Sequence, residues 1–195
     1  KNIAPTFGGI NLEDIKAPES FEIERRLVEE LDIPVMHDDQ HGTAIISSAA
    51  LLNAVELAGK KTEDLKMVVS GAGSAALACA NMYVLLGLKV ENILMFNSKG
   101  VLTKDNTSLS EMQLKYATDK KPMSLEEALV GADIFLGLSS GDIMTPKMLL
   151  TMADNPIVFA MANPNPEINY HLAVETRKDI IMATGRSDHP NQVNN

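Results

Sequence analysis

The sequence has no tryptophan, one cysteine and an aromatic share of only 4% in 195 residues. A lone Cys79 makes no internal disulfide. That excludes a disulfide-stapled secreted scaffold and fits a reducing cytoplasm, with Cys79 as a small buried hydrophobe rather than a reactive thiol. No apolar run is long enough to cross a bilayer and no secretory leader opens the chain, so no membrane partner is expected. There is no basic run either. The formal net charge is −9, with acids spread along the chain, so nucleic acid is not an expected partner. Repeats and low-complexity segments are absent. What remains is enough chain for one domain with a proper core.

That core is organised around Val68-Val69-Ser70-Gly71-Ala72-Gly73-Ser74-Ala75-Ala76. An apolar strand runs into a glycine turn, and the turn opens a small-residue helix. Gly71 permits the turn, Gly73 lets backbone approach a pyrophosphate, and Ala76 keeps the helix close to the sheet. The N–H groups and positive dipole end of the helix beginning near Ser74 then face phosphate. Alone the pattern also fits a glycine turn in any α/β protein. The following strand, Asn92–Phe96, completes the unit that a dinucleotide site requires.

Around it, helix and strand alternate from Ile33 onward. This predicts an α/β fold, a Rossmann-like parallel sheet with helices on both faces. Residues 1–18 read as a loop, Glu19–Leu31 as an amphipathic helix and Ile33–Met36 as a strand. Thr43–Ala58 is a helix apolar nearly all round, with Thr43 as its cap, expected to be buried on most sides between the sheet and another domain or subunit. Further strands are expected at 132–137, 156–161 and 180–184. Capping signals at Ser124 and Thr145 open short helices. The stretch Leu102–Pro122 reads as polar and irregular, with an exposed helix near Ser110–Tyr116. Ser139-Ser140-Gly141 and Ala162-Asn163-Pro164-Asn165-Pro166-Glu167 lie at carboxyl ends of strands, where such folds bind ligands.

Asn97 falls about 20 residues past the glycine turn, where an acid commonly holds the adenosine ribose 2′-hydroxyl. Asn does not repel a phosphate, and Lys99 is close by. The pair leans toward NADP over NAD, although Lys99 also fits an exposed turn lysine. Glu13, Asp14 and Asp39 offer three carboxylates from two loops. Oxygen-only ligation suits Mg2+ or Mn2+. Alternatively these acids cap helices or stay solvated. His37 and His41 read as hydrogen-bonding supports rather than ligands. A hard cation beside a nicotinamide suits oxidation of a 2-hydroxy acid followed by loss of its β-carboxylate.

Three runs carry a family resemblance. Residues 5–18 (PTFGGINLEDIKAP) and 33–44 (IPVMHDDQHGTA) resemble the metal segments of bacterial malic enzymes, and 184–195 (TGRSDHPNQVNN) resembles the family's substrate loop. The likeness covers essentially the whole chain and is nearest the larger, often NADP-linked form, sometimes fused to a phosphotransacetylase-like domain. It implies NAD(P)-dependent decarboxylation of malate to pyruvate, with residues 1–195 as the NAD(P)-binding domain and the metal loops within 1–42. By the same likeness, Glu13, Asp14 and Asp39 match metal ligands and Asp38 a supporting acid. Gly71, Gly73 and Ala76 match the dinucleotide turn, and Asn163, Asn194 and Asn195 match asparagines that hold malate. The family's tyrosine–lysine acid–base pair is not matched by Tyr83, Tyr116 or Tyr170, and is expected upstream of Lys1. A homodimer or larger homo-oligomer is expected. Two alternatives stand beside this reading. One is a non-catalytic NAD(P)-binding module. The other is another NAD-linked enzyme, such as a glutamate or methylene-tetrahydrofolate dehydrogenase relative, which needs no three-carboxylate site.

Overall fold

Valine, isoleucine and phenylalanine runs bounded by glycine and proline build the strands, and capped apolar segments build the helices between them. The structure, a computed structural model, describes residues 1–16 and 19–194. In chain order its elements are β1 (Ile10–Leu12), α1 (Glu19–Glu30), β2 (Val35–His37), α2 (Asp38–Ala58), β3 (Met67–Ser70), α3 (Ser74–Leu85) and β4 (Ile93–Asn97). There follow β5 (Gly100–Val101), α4 (Glu111–Leu114), α5 (Leu125–Leu129), β6 (Ile134–Gly137), α6 (Pro146–Leu150), β7 (Ile157–Ala160), α7 (Tyr170–Thr176) and β8 (Ile181–Thr184).

The main sheet has six strands in the order β5-β4-β3-β6-β7-β8. All neighbours are parallel except β4 and β5, which form an antiparallel hairpin at one edge. That hairpin departs from the all-parallel expectation. Chain order runs outward from β3 through β4 on one side and through β6 on the other. The switch point, and the crevice that accompanies it, therefore lies at the carboxyl ends of β3 and β6.

Both faces of the sheet are covered. Successive strand residues point to opposite faces. Met67, Val69, Ile134, Leu136, Ile157 and Phe159 join one core with α2 and α3. Val68, Phe135, Val158 and Ala160 join a second core with α5, α6 and α7. The central strands β3, β6 and β7 are wholly buried, as doubly covered parallel strands must be. Cys79 is buried in the first core, where Ser47 Oγ donates to its sulfur at 3.3 Å. Burial pushes its thiol up to about 11, so it stays protonated and inert.

Three expectations are corrected. The opening segment is not all loop: Ile10–Leu12 pairs in parallel with Val35–His37, closing a small β–α–β unit around α1. Next, α2 begins at Asp38 rather than Thr43, with His37 at its N-cap position. Asp38 and Asp39 thus occupy the first turn, where carboxylates favour the positive end of the helix dipole, and Thr43 is an interior residue. Lastly, α2 is not buried on most sides. Ile45, Leu52 and Leu57 are exposed, while Ala44, Ser47, Leu51, Ala54 and Val55 are buried. Its apolarity exceeds what this domain covers. Among the described residues no helix is long and apolar enough to cross a membrane.

Candidate dinucleotide and metal site

The β3–α3 turn forms as the glycine spacing requires. Gly71 has φ +125°, and a Cβ there would sit 2.6 Å from the Leu138 carbonyl oxygen. Its N–H donates to the Phe96 carbonyl at 2.9 Å. Gly73, at the N-cap of α3, is exposed, and a Cβ there would meet nothing within 4 Å. The space beside Gly73 is therefore open to a ligand. Ala76 is buried against the sheet. No acid stands in the first turn of α3, so its unpaired N–H groups and dipole present an uncontested positive end.

A cleft of about 510 Å³ opens here, bounded by Gly71, Gly73, Asn97, Gln113, Ser139 and Ser140. Its far wall is welded to the glycine turn. Leu138 N–H donates to the Ser70 carbonyl at 2.8 Å, and the hydroxyls of Ser70 and Ser139 lie 2.8 Å apart. Gln113 Nε2 donates to the Ala72 carbonyl at 2.9 Å. Ser124 and Leu125, at the start of α5, also border the cleft. These last contributions were missed in the sequence. The capping box at Ser124 gave the helix start, yet nothing local told which way that helix end faced.

At the end of β4, Asn97 Oδ1 accepts the Lys99 N–H at 2.8 Å. This fixes the amide against the hairpin turn and leaves its NH2 to donate. Lys99 is exposed beside it.

The acidic loops are brought side by side by the β1–β2 pairing. Asp14 N–H donates to Asp39 Oδ2 at 3.0 Å, and Asp14 takes φ 55° to do so. Glu13 is exposed next to it. His37 is buried, with Nε2 3.5 Å from Asp39 Oδ2. His41 Nε2 pairs with Glu24 at 2.9 Å, and Glu24 also accepts the His37 N–H. His41 is thus a support, as expected, and its partner Glu24 on α1 was not foreseen. Among the described residues, no three acid, histidine or cysteine side chains gather closely enough to hold a metal ion. The Asp14 backbone meets the Asp39 carboxylate, while the three carboxylates of Glu13, Asp14 and Asp39 do not converge.

The asparagine loops meet at the other end of the crevice. Asn163 lies beside Gly185, where a Cβ would sit 3.7 Å from its side chain. Val193 N–H donates to the Thr184 carbonyl at 2.8 Å, which carries Asn194 to the same edge. Arg186 ties the two loops by donating to the Pro164 carbonyl at 3.2 Å. Asn195 lies outside the described residues. The tyrosines take no part: Tyr83 and Tyr116 are buried, and Tyr170 stacks on His189 at 4.9 Å.

A glycine turn, an open helix end and a cleft at the switch point define a dinucleotide-binding α/β domain. The family model for the malic enzyme NAD-binding domain matches residues 40–195, and the chain belongs to that family. It is 54% identical to an NADP-dependent malic enzyme of Halomonas elongata over 193 residues, 99% of this chain and 46% of that protein. It is 53% identical to an NAD-dependent malic enzyme of Rhizobium meliloti over 194 residues, 99% of this chain and 25% of that protein. The crystal structure of an NAD-dependent malic enzyme from Thermotoga maritima superposes with a TM-score of 0.91 at 46% identity, over 100% of this chain and 52% of that one. The chain therefore spans between a quarter and a half of the curated relatives' length.

Proposed function

We propose that this chain is the dinucleotide- and metal-binding part of an enzyme that converts malate and NADP+ to pyruvate, CO2 and NADPH. The carrying observation is the cleft between Gly73 and Ser139, with the paired-acid loops and the asparagine loops within the same domain. Gly73 and Ser74, at the open end of α3, receive the pyrophosphate on backbone N–H groups, while Gly71 makes the turn and Ala76 keeps the helix close to the sheet. The Asn97 NH2 donates to the adenosine ribose, and Lys99 pairs with a 2′-phosphate. Both features favour NADP over NAD, in keeping with the name of the Halomonas relative, whereas the Rhizobium relative is named for NAD.

Glu13, Asp14 and Asp39 are the proposed ligands for Mg2+ or Mn2+, with Asp38 supporting them at the start of α2. Their oxygens suit a hard cation, and the Asp14 N–H already holds the Asp39 carboxylate beside its loop. When bound, such an ion supplies Lewis-acid polarisation of the substrate oxygen. Asn163, Asn194 and Asn195 hold the carboxylates of malate. Neither Tyr83 nor Tyr116 is poised as an acid or base. Burial pushes Tyr116 up to about 12 and holds Tyr83 well above the ordinary phenol value. As the family resemblance implies, we assign the proton transfers to a tyrosine and a lysine outside this chain, so that the chain alone binds dinucleotide without turning over malate. Cytoplasmic location and a homodimer complete the proposal, the exposed apolar side of α2 being the candidate contact.

The test is malate-dependent NADPH formation by the full-length protein, with and without chelator. Activity should vanish on chelation and return with Mg2+ or Mn2+, and Asp39→Asn should lower it by about 10- to 100-fold. Turnover indifferent to chelator would refute the metal assignment. Dinucleotide binding without turnover in any form would favour a non-catalytic module.

A further inference from the structure

Glu167 has no place in the site described so far, yet both of its carboxylate oxygens are engaged at the sheet's carboxyl edge. Its side chain is 0% exposed. Oε1 accepts the Ser139 N–H at 3.1 Å, and Oε2 accepts the Ala162 N–H at 3.1 Å. The two carboxylate oxygens therefore grip two different loops. Ser139 is a wall of the dinucleotide cleft. Ala162 is the residue before Asn163, the proposed malate-binding side chain. The carboxylate sits over Gly137, where a Cβ would lie 2.2 Å from Cδ, so only glycine at the end of β6 admits it. Burial raises the carboxyl above its ordinary value. A buried carboxylate is expensive unless its hydrogen bonds are made. The backbone adds to the same clamp: Met144 N–H donates to the Glu167 carbonyl at 2.9 Å and Asp142 N–H to the Pro166 carbonyl at 3.1 Å.

We infer that Glu167 is a positioning residue that ties the dinucleotide wall to the malate loop, so that filling either site tightens the other. This rests on the proposed function, since it takes both ligands from it. One rigid carboxylate shared by two loops is a short physical link. A ligand that orders the Ser139 loop fixes Oε1, and through it the Ala162–Asn163 backbone. Linkage then requires the effect to be equal in both directions.

The experiment measures NADPH affinity of the full-length protein with and without malate, from the fluorescence of the reduced nicotinamide. NADPH and malate form a dead-end pair, so no turnover intervenes. In the unaltered protein malate should tighten NADPH by roughly fivefold or more. In Glu167→Gln one oxygen becomes an NH2 that cannot accept its loop N–H. The tightening should then fall below about twofold in a variant that still unfolds cooperatively. Gly137→Ala, which drives a methyl group into the carboxylate without removing it, should give the same loss. Tightening retained in either folded variant, or absent from the unaltered protein, overturns the link. Failure of the unaltered protein to bind NADPH at all would instead remove the functional reading beneath it.

Discussion

Gly71 and Gly73 stand two residues apart and answer to different constraints. Gly71 has a left-handed φ and a carbonyl oxygen where its Cβ would go. Gly71→Ala is expected to destabilise the fold by about 1–3 kcal/mol, read by chemical denaturation. Gly73 has neither constraint, so Gly73→Ala should leave the denaturation midpoint unchanged and weaken NADP+ binding at least about tenfold, because the methyl group fills the pyrophosphate's approach. At Asn97 the matching change is Asn97→Asp, which should turn the ratio of NADP+ to NAD+ affinity toward NAD+; no change in that ratio would remove Asn97 from the specificity argument. Glu167 gives a pH-dependent outcome. Its folded pKa lies above the ordinary 4.5, so the native state holds its proton more tightly than the unfolded chain. Stability from this group is complete below about 4.5 and declines as pH rises through the folded value. Glu167→Gln removes that decline. Its melting temperature relative to the unaltered protein should therefore rise between pH 4.5 and pH 7.

At the scale of elements, local chemistry decided what the sequence revealed. The capping box at Ser124 and the cap at Thr145 hold as expected, Thr145 Oγ1 accepting the Met148 N–H at 3.2 Å. Thr145→Ala should cost about 1 kcal/mol in the same denaturation measurement. Strand–turn–helix punctuation around Gly71 placed β3, α3 and β4 closely, because glycine and apolar periodicity are local signals. β1 was illegible for the opposite reason. A three-residue strand carries almost no periodicity, and its pairing with β2 depends on a partner across α1. The start of α2 was read too late because Thr43 resembles a cap, whereas the helix continues back through His41 to a first turn of paired acids. The β5 hairpin was hidden by its two-residue length. Glu167 was visible only as one acid in a proline-rich loop. Its role comes from Gly137, thirty positions earlier in the chain, leaving room for it.

At the scale of the molecule, one face is left unfinished. Ile45, Leu52 and Leu57 expose apolar surface on α2, while its other side packs on α3. The same scale explains the unassembled metal set. Asp14 and Asp39 depend on the small β1–β2 unit, which stands apart from the six-stranded sheet, and Glu13 is solvent-exposed beside them. The dinucleotide cleft, by contrast, is supported from beneath by two complete hydrophobic cores. With the function proposed above, the domain should be uneven, competent for nucleotide and unable by itself to turn over malate. The measurement that tests this most directly is calorimetric titration of the 195-residue chain with NADP+, followed by addition of malate and Mn2+. Saturable binding of one NADP+ per chain, with no pyruvate formed, is the predicted result. Absence of NADP+ binding by the folded chain, or pyruvate formed by the chain alone, would contradict it.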